Sequence, residues 1–187
     1  MANTSDIRNG MCLEFNNDIW SVVEFQHVKP GKGAAFVRTK LKSLTKGKVV
    51  DNTFSAGHKI DEVRVERRQF QYLYKDDMGY HFMNLETYDQ ITLEEAIIDN
   101  PKFLKAEMVV EVLYHAEKDT PLNMEMPTLA EYEVTYTEPG LKGDTATNTF
   151  KPATIDINEV EVRVPLFINT GDIIKINPRT GEYLGRV

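Results

Sequence analysis

Short segments rich in valine, isoleucine, phenylalanine and tyrosine recur through the chain, and glycine, proline, asparagine or aspartate interrupts them about every 8 to 12 residues. No other feature restricts the fold as strongly. Strands this short, with turns this close together, form hairpins and small closed barrels and leave no room for crossover helices. Residues 11–15 and 19–25 flank Asn16-Asn17-Asp18, which tolerate the left-handed backbone of a tight turn and so predict a first hairpin. Residues 35–41 alternate apolar and polar, which sends one face to a core and turns Arg38 and Lys40 the other way. A strand at 49–54 and a turn at Gly57-His58-Lys59 lead to a first boundary near residue 63. A second set opens with the aromatic run 69–74, turns through 75–79 and returns over 80–83. Thr92 as a cap, Glu95 three residues on and Asn100-Pro101 as a stop predict one short helix over 93–98, placed to plug a barrel end. Residues 108–114 read as a strand, and Thr120-Pro121-Leu122 with Met126-Pro127 mark a second boundary. The expectation is a mainly β chain of three small β-barrel domains, over residues 1–63, 64–127 and 128–187.

Composition narrows the class. Hydrophobic residues make up 41% and charged residues 27%, the balance of a folded globular chain and not of a disordered or fibrous one. No apolar run approaches the roughly 18 residues of a spanning helix, and the start lacks the basic and apolar regions of a signal peptide. The expectation is a cytoplasmic protein with no membrane partner. Cys12 is the only cysteine, which excludes an internal disulfide and a cysteine-based zinc cluster.

A net charge of −7 argues against a nucleic-acid binder, but its distribution argues the other way. Residues 1–63 carry nine Lys/Arg against seven Asp/Glu, residues 64–127 seven against thirteen, and residues 128–187 six against nine. Between His27 and Lys48 stand Lys29, Lys32, Arg38, Lys40, Lys42, Lys46 and Lys48 without one carboxylate. That window has the character of an electrostatic footprint for phosphate.

Enzymatic chemistry finds little support. His27, His58, His81 and His115 are scattered without the close spacing that metal ligation favours, no G-x-S-x-G elbow is present, and Cys12 alternates with Met11 and Leu13 as a small core residue would. Asp76-Asp77 and Glu94-Glu95 read as a turn and a solvated face. Arg64, Arg67 and Arg68 suit either phosphate or the acidic middle segment. The expectation is no enzyme, no metal and no cofactor. The segment Lys29-Pro30-Gly31-Lys32-Gly33 is different: a proline and two glycines form a tight turn that pushes one ammonium outward between two strands. It lacks the upstream glycine and following Ser/Thr of a phosphate-binding loop of the Walker type. A hairpin tip with a solvated lysine is the plain reading of an isolated Gly-Lys-Gly, and the adjoining cation run argues for insertion along RNA.

These residues carry a resemblance to the bacterial elongation factor P family, and it extends along the whole chain. Val28-Lys29-Pro30-Gly31-Lys32-Gly33 and Phe36-Val37-Arg38 match in the first segment. In the last, residues 137–145, Lys151-Pro152-Ala153, Val164-Pro165-Leu166-Phe167 and Gly181-Glu182-Tyr183 match. One departure is visible: Asn158 lies near a place where the family usually has glycine. The resemblance implies an SH3-like KOW-type domain followed by two OB-folds in an L-shaped, tRNA-like arrangement. It implies a monomeric translation factor that binds the 70S ribosome between the peptidyl and exit sites, positions peptidyl-tRNA and relieves stalling at consecutive prolines. Lys32 becomes the tip residue, a candidate for covalent modification by a dedicated enzyme. Lys29, Pro30, Gly31 and Gly33 form its loop, and Arg38, Lys40, Lys42, Gly143, Asp144, Thr145, Tyr183 and Arg186 are the candidate RNA contacts, with Gly143-Asp144-Thr145 directed to the exit-site mRNA codon. The competing reading is a generic single-strand RNA-binding OB-fold protein, whose stacking platform would be the aromatics of residues 70–82.

Overall fold

Asn16 and Asn17 both take left-handed backbone, at φ 50° and 58°, the geometry of a two-residue hairpin turn. In the computed structural model, which describes residues 2–139 and 150–187, they join β2 (Cys12–Phe15) to β3 (Asp18–Val28), after a short β1 (Ala2–Asn3). With β4 (Phe36–Ser43) and β5 (Val49–Ser55) these form a four-stranded meander in the order β2-β3-β4-β5, and β6 (Lys59–Ile60) returns to pair with β1. The alternation read from the sequence decides the faces of β4: Val37, Thr39, Leu41 and Ser43 are buried, and Arg38, Lys40 and Lys42 are exposed. Val37 and Leu41 join Ile7, Met11, Leu13, Trp20, Val22, Phe54 and Ile60 in one core. The turn after β4 hangs on Asp18, whose carboxylate accepts from Ser43 Oγ at 2.8 Å and Thr45 Oγ1 at 2.6 Å.

The second sheet contains β7 (Val65–Asp76), β8 (Gly79–Asn84), β9 (Gln90–Leu93), β10 (Val109–His115) and β11 (Thr120–Glu125), in the order β11-β10-β7-β8-β9. Two expectations fail here. The helix over 93–98 is absent: Thr92 and Leu93 belong to β9, opposite His81 and Tyr80 of β8, and only one-turn 3-10 segments follow, at Glu95–Ile97 and Pro101–Phe103. Seven residues between Leu93 and Pro101 are too few to repay helix nucleation, and Thr92 Oγ1 lies 3.2 Å from His81 Nδ1 instead of capping. Pro121, read as boundary punctuation, lies inside β11. Its missing N–H is tolerated because β11 is an edge strand.

The third sheet, β12 (Ala130–Thr137), β13 (Phe150–Ile155), β14 (Glu161–Pro165), β15 (Ile173–Asn177) and β16 (Glu182–Arg186), has the order β14-β13-β12-β15-β16. Its inward residues, Tyr132, Val134, Ile155, Val162, Val164, Ile168, Ile174 and Ile176, are buried. Tyr132 donates to the carbonyl of Phe103 at 2.7 Å, and burial pushes its phenol above the usual range. Asn158, at φ 48°, makes the turn from β13 to β14 with Glu159, at φ 51°. Asparagine accepts this conformation at low cost, and its amide also donates to the carbonyl of Lys102 at 3.0 Å. Asn158 thus both makes this turn and ties it to the segment around Lys102. The chain divides into two compact units, residues 1–68 with 112–123, and residues 69–111 with 124–187. Among the described residues, no helix is long and apolar enough to cross a membrane.

Asp18 yields a stability prediction. Its burial raises the carboxyl pKa, but the hydrogen bonds from Thr45, Ser43 and the Ile19 amide outweigh this and hold it below the ordinary value. A depressed folded pKa adds stability above the unfolded carboxyl range, near 4, that is lost as pH falls through the lower folded value. Asp18→Ala is expected to lower stability by roughly 1–2 kcal/mol at pH 7 in denaturant melts, with the gap to wild type closing as the solution is acidified below about pH 4.

Candidate nucleic-acid interface

The strands β3 and β4 pair along nearly their whole length, from Trp20 opposite Ser43 to Val28 opposite Phe36. Beyond that last pair the chain runs free through Lys29, Pro30, Gly31, Lys32, Gly33 and Ala34, all exposed, and just after it the Ala56 amide donates to the Ala35 carbonyl at 2.9 Å, continuing the pairing of β4 with β5. Gly33 sits at φ 113°, a conformation that only glycine adopts without strain. Gly31 has no such φ, and a Cβ there would meet open space. The turn therefore depends on one of its two glycines. Among the described residues no side chain pairs with Lys32, which stands in solvent at the apex. Beneath the apex lies a cavity of about 340 Å³ lined by Asn3, Ser5, His27, Lys29 and Phe36 among others.

Arg38, Lys40 and Lys42 stand on one exposed face of β4, as the alternation requires. The neighbouring strands change what that face presents. Glu24 of β3 lies opposite Lys40, with its carboxylate 3.2 Å from the ammonium, and Asp51 of β5 lies opposite Lys40 from the other side. Both sit outside the carboxylate-free window of the sequence, and only the strand register reveals them. The Lys40–Glu24 pair is exposed on both sides, 45% and 70%, so it contributes at most about 1 kcal/mol and yields readily to a stronger anion. Arg38 faces Gln26 and Thr53 instead, with its guanidinium 5.5 Å from the centre of the Phe36 ring. It is thus the less neutralised of the two cations.

The remaining candidates lie elsewhere in the chain. Gly143, Asp144 and Thr145 fall outside the described residues. Tyr183 and Arg186 share β16. Burial raises the Tyr183 phenol pKa, with the Arg186 charge opposing it and Asp172 assisting. Arg186 is 3.7 Å from Asp172 and lies over the half-exposed Phe167 ring at 5.8 Å, a cation and an aromatic ring that the sequence did not bring together. Arg68, left open between phosphate and acidic partners, bonds Asp119 at 2.7 Å and Glu66 at 3.2 Å and stacks on Tyr114. The aromatics of the second set do not form a stacking platform: Phe70, Tyr72, Tyr80 and Phe82 are buried, and exposed Tyr74 stacks on His81. Burial also raises the Cys12 thiol pKa, which lowers its thiolate fraction and its value as a nucleophile. Among the described residues, no group of three or more His, Cys, Asp or Glu is placed to hold a metal ion.

Comparison with known proteins covers the chain almost end to end. Residues 3–60 match the family model for the elongation factor P KOW-like domain, residues 65–124 its OB domain and residues 130–186 its C-terminal domain. Among curated proteins, the chain is 58% identical to elongation factor P of Flavobacterium psychrophilum, with all of both chains covered. It is 56% identical to elongation factor P 1 of Porphyromonas gingivalis and 52% to elongation factor P of Rhodococcus opacus, covering all of this chain and 99% of each relative. Among solved structures, a eukaryotic translation initiation factor 5A from Methanococcus jannaschii superposes with a TM-score of 0.50 at 19% identity, covering 67% of this chain and 90% of that one, a likeness of fold. Three adjoining domain models and full-length relatives at more than half identity lead to one conclusion: the chain belongs to the elongation factor P family of translation elongation factors.

Proposed function

We propose that this factor binds the 70S ribosome between the peptidyl and exit sites and holds peptidyl-tRNA in place for peptide-bond formation, relieving stalling at consecutive prolines. The observation that carries the reading is the apex itself: an exposed lysine without a partner among the described residues, on a turn whose shape depends on Gly33, in the loop that joins β3 to β4 beyond their last pair. Such a tip reaches into a narrow site and delivers one ammonium there. Proline is a poor partner in peptide transfer because its ring restricts approach, and immobilising the peptidyl end lowers the entropic part of that barrier. The ribosome supplies the chemistry and this chain supplies positioning, as a monomer and without a cofactor.

Lys32 is the site of covalent extension by a modifying enzyme, since a lysine side chain spans only about 6 Å by bond lengths. Lys29, Arg38, Lys40 and Lys42 meet tRNA or ribosomal RNA phosphates, Tyr183 and Arg186 add contacts from the last domain, and Gly143-Asp144-Thr145 address the exit-site codon. The acidic remainder disfavours indiscriminate RNA binding and leaves the basic arm to select the site.

Intact-mass measurement of the native protein is expected to exceed the mass of the sequence, with the excess on the peptide that contains Lys32. Lys32→Ala is expected to abolish stimulation of polyproline synthesis in a reconstituted translation assay without moving the melting temperature; full activity in that variant refutes the reading. Gly33→Ala is expected to impair stimulation strongly and Gly31→Ala to leave most of it, because only the first imposes strain. Each phosphate contact adds about 0.7 to 0.9 to the slope of log affinity against log salt. Arg38→Ala is therefore expected to flatten ribosome binding by nearly one contact and Lys40→Ala by less, because Glu24 and Asp51 already share its charge. Lys118→Ala is expected to leave the slope unchanged, and equal slopes for all three variants exclude the β4 face from RNA.

A further inference from the structure

Tyr183 and Arg186 stand three positions apart on β16, and in a regular strand they would point to opposite faces. A β-bulge cancels that. Tyr183 pairs with Ile176 and Gly185 with Lys175, so Leu184 is an extra residue, the alternation slips by one, and Arg186 falls opposite Ile174. Ile174 and Ile176 share the buried face of β15, so Tyr183 and Arg186 share one face of β16. Their proximity shows in the Tyr183 phenol, on which the Arg186 charge acts.

The loop between β14 and β15 brings a third side chain to this pair. Ile168 is fully buried and its amide donates to the Pro165 carbonyl at 3.1 Å. The side-chain amide of Asn169 donates to the Phe167 carbonyl at 3.2 Å, and its backbone amide donates to the Asp172 carboxylate at 2.8 Å. This bracing fixes the backbone of Phe167 and leaves its ring 60% exposed, with the Arg186 guanidinium over it at 5.8 Å. So exposed a ring adds little to the core; its charged contact is Arg186. An arginine resting on an aromatic face keeps the edge of its guanidinium for an anion. Asp172, at 3.7 Å, lies beyond hydrogen-bond distance, and among the described residues no hydrogen bond takes up the Arg186 guanidinium N–H groups. On a bare flexible stem, the guanidinium would have to be ordered at the moment of binding, at a cost in affinity. The ring orders it beforehand and consumes no donor. We propose that Phe167 is a positioning residue for RNA binding: its ring holds the Arg186 guanidinium beside Tyr183 with its N–H groups free for a phosphate. The inference rests on the proposed contact of Arg186 with RNA.

The test measures the affinity of the full-length protein for purified 70S ribosomes across a salt series. A cation–ring contact at an exposed site is worth about two- to fivefold. Phe167→Ala is therefore expected to weaken binding by that factor, with the melting temperature and the salt slope unchanged because the charge remains. Phe167→Tyr is expected to bind as wild type, and Phe167→Leu, which keeps apolar bulk but no ring, to match the alanine variant. Arg186→Ala is expected to lower the salt slope by about 0.7 to 0.9, and in that background Phe167→Ala is expected to have no further effect. Wild-type binding by Phe167→Ala or by Phe167→Leu overturns the inference, as does a Phe167→Ala loss of equal size with and without Arg186. In each of these cases a slope lowered by Arg186→Ala leaves the proposed RNA contact standing. Unchanged affinity and slope in Arg186→Ala overturns both.

Discussion

Every feature of the Lys32 loop and of the basic face of β4 depends on the register between β3 and β4. That register puts Val28 opposite Phe36, which sets where pairing stops and how many residues remain to form the apex. It also assigns faces: a slip of one residue would bury Arg38, Lys40 and Lys42 and expose Val37 and Leu41. Core burial opposes such a slip, since Leu41 is fully buried and Val37 nearly so. The carboxylate of Asp18 opposes it from the far end, by tying the turn after β4 to the start of β3. The apex can thus lack internal bonds and keep its position, because its root is fixed by apolar packing and not by contacts of its own.

A second fixed point lies in the other unit, around Phe103. Its carbonyl accepts from Tyr132, its ring meets Gly181, and the carbonyl of its neighbour Lys102 accepts from Asn158. Asn100, itself left-handed at φ 56°, donates to the carbonyl of Pro178, and Lys105 pairs with Asp156 at 2.7 Å. Five contacts from a segment of six residues bind it to the third sheet. They explain why the segment goes no further than the single 3-10 turn at Pro101–Phe103: its side chains and carbonyls are committed outward to a neighbour, where a longer helix would turn its carbonyls inward.

Much of this was legible in the sequence because it follows from period and turn chemistry. The alternation over 35–41 assigned the faces of β4, Asn16-Asn17 located the first hairpin, and the motif around Lys32 located the arm. What was illegible depends on pairing between distant segments. Glu24 and Asp51 reach Lys40 through register alone, and no local signal brings Arg186 to Phe167. The helix expected over 93–98 had valid start and stop signals, but pairing with β8 claimed Thr92 and Leu93 first. Pro121 looked like a breaker because the sequence does not say which strand is the edge.

The carboxylates beside Lys40 bear on release as much as on capture. Glu24 is tethered across the strand and competes for the same ammonium without having to diffuse to it. A polyanion landing on this face displaces a contact that stands ready to reform, so each step of its departure is assisted from within the protein. The same face therefore presents its ammonium to an incoming anion and keeps a carboxylate at hand to take it back.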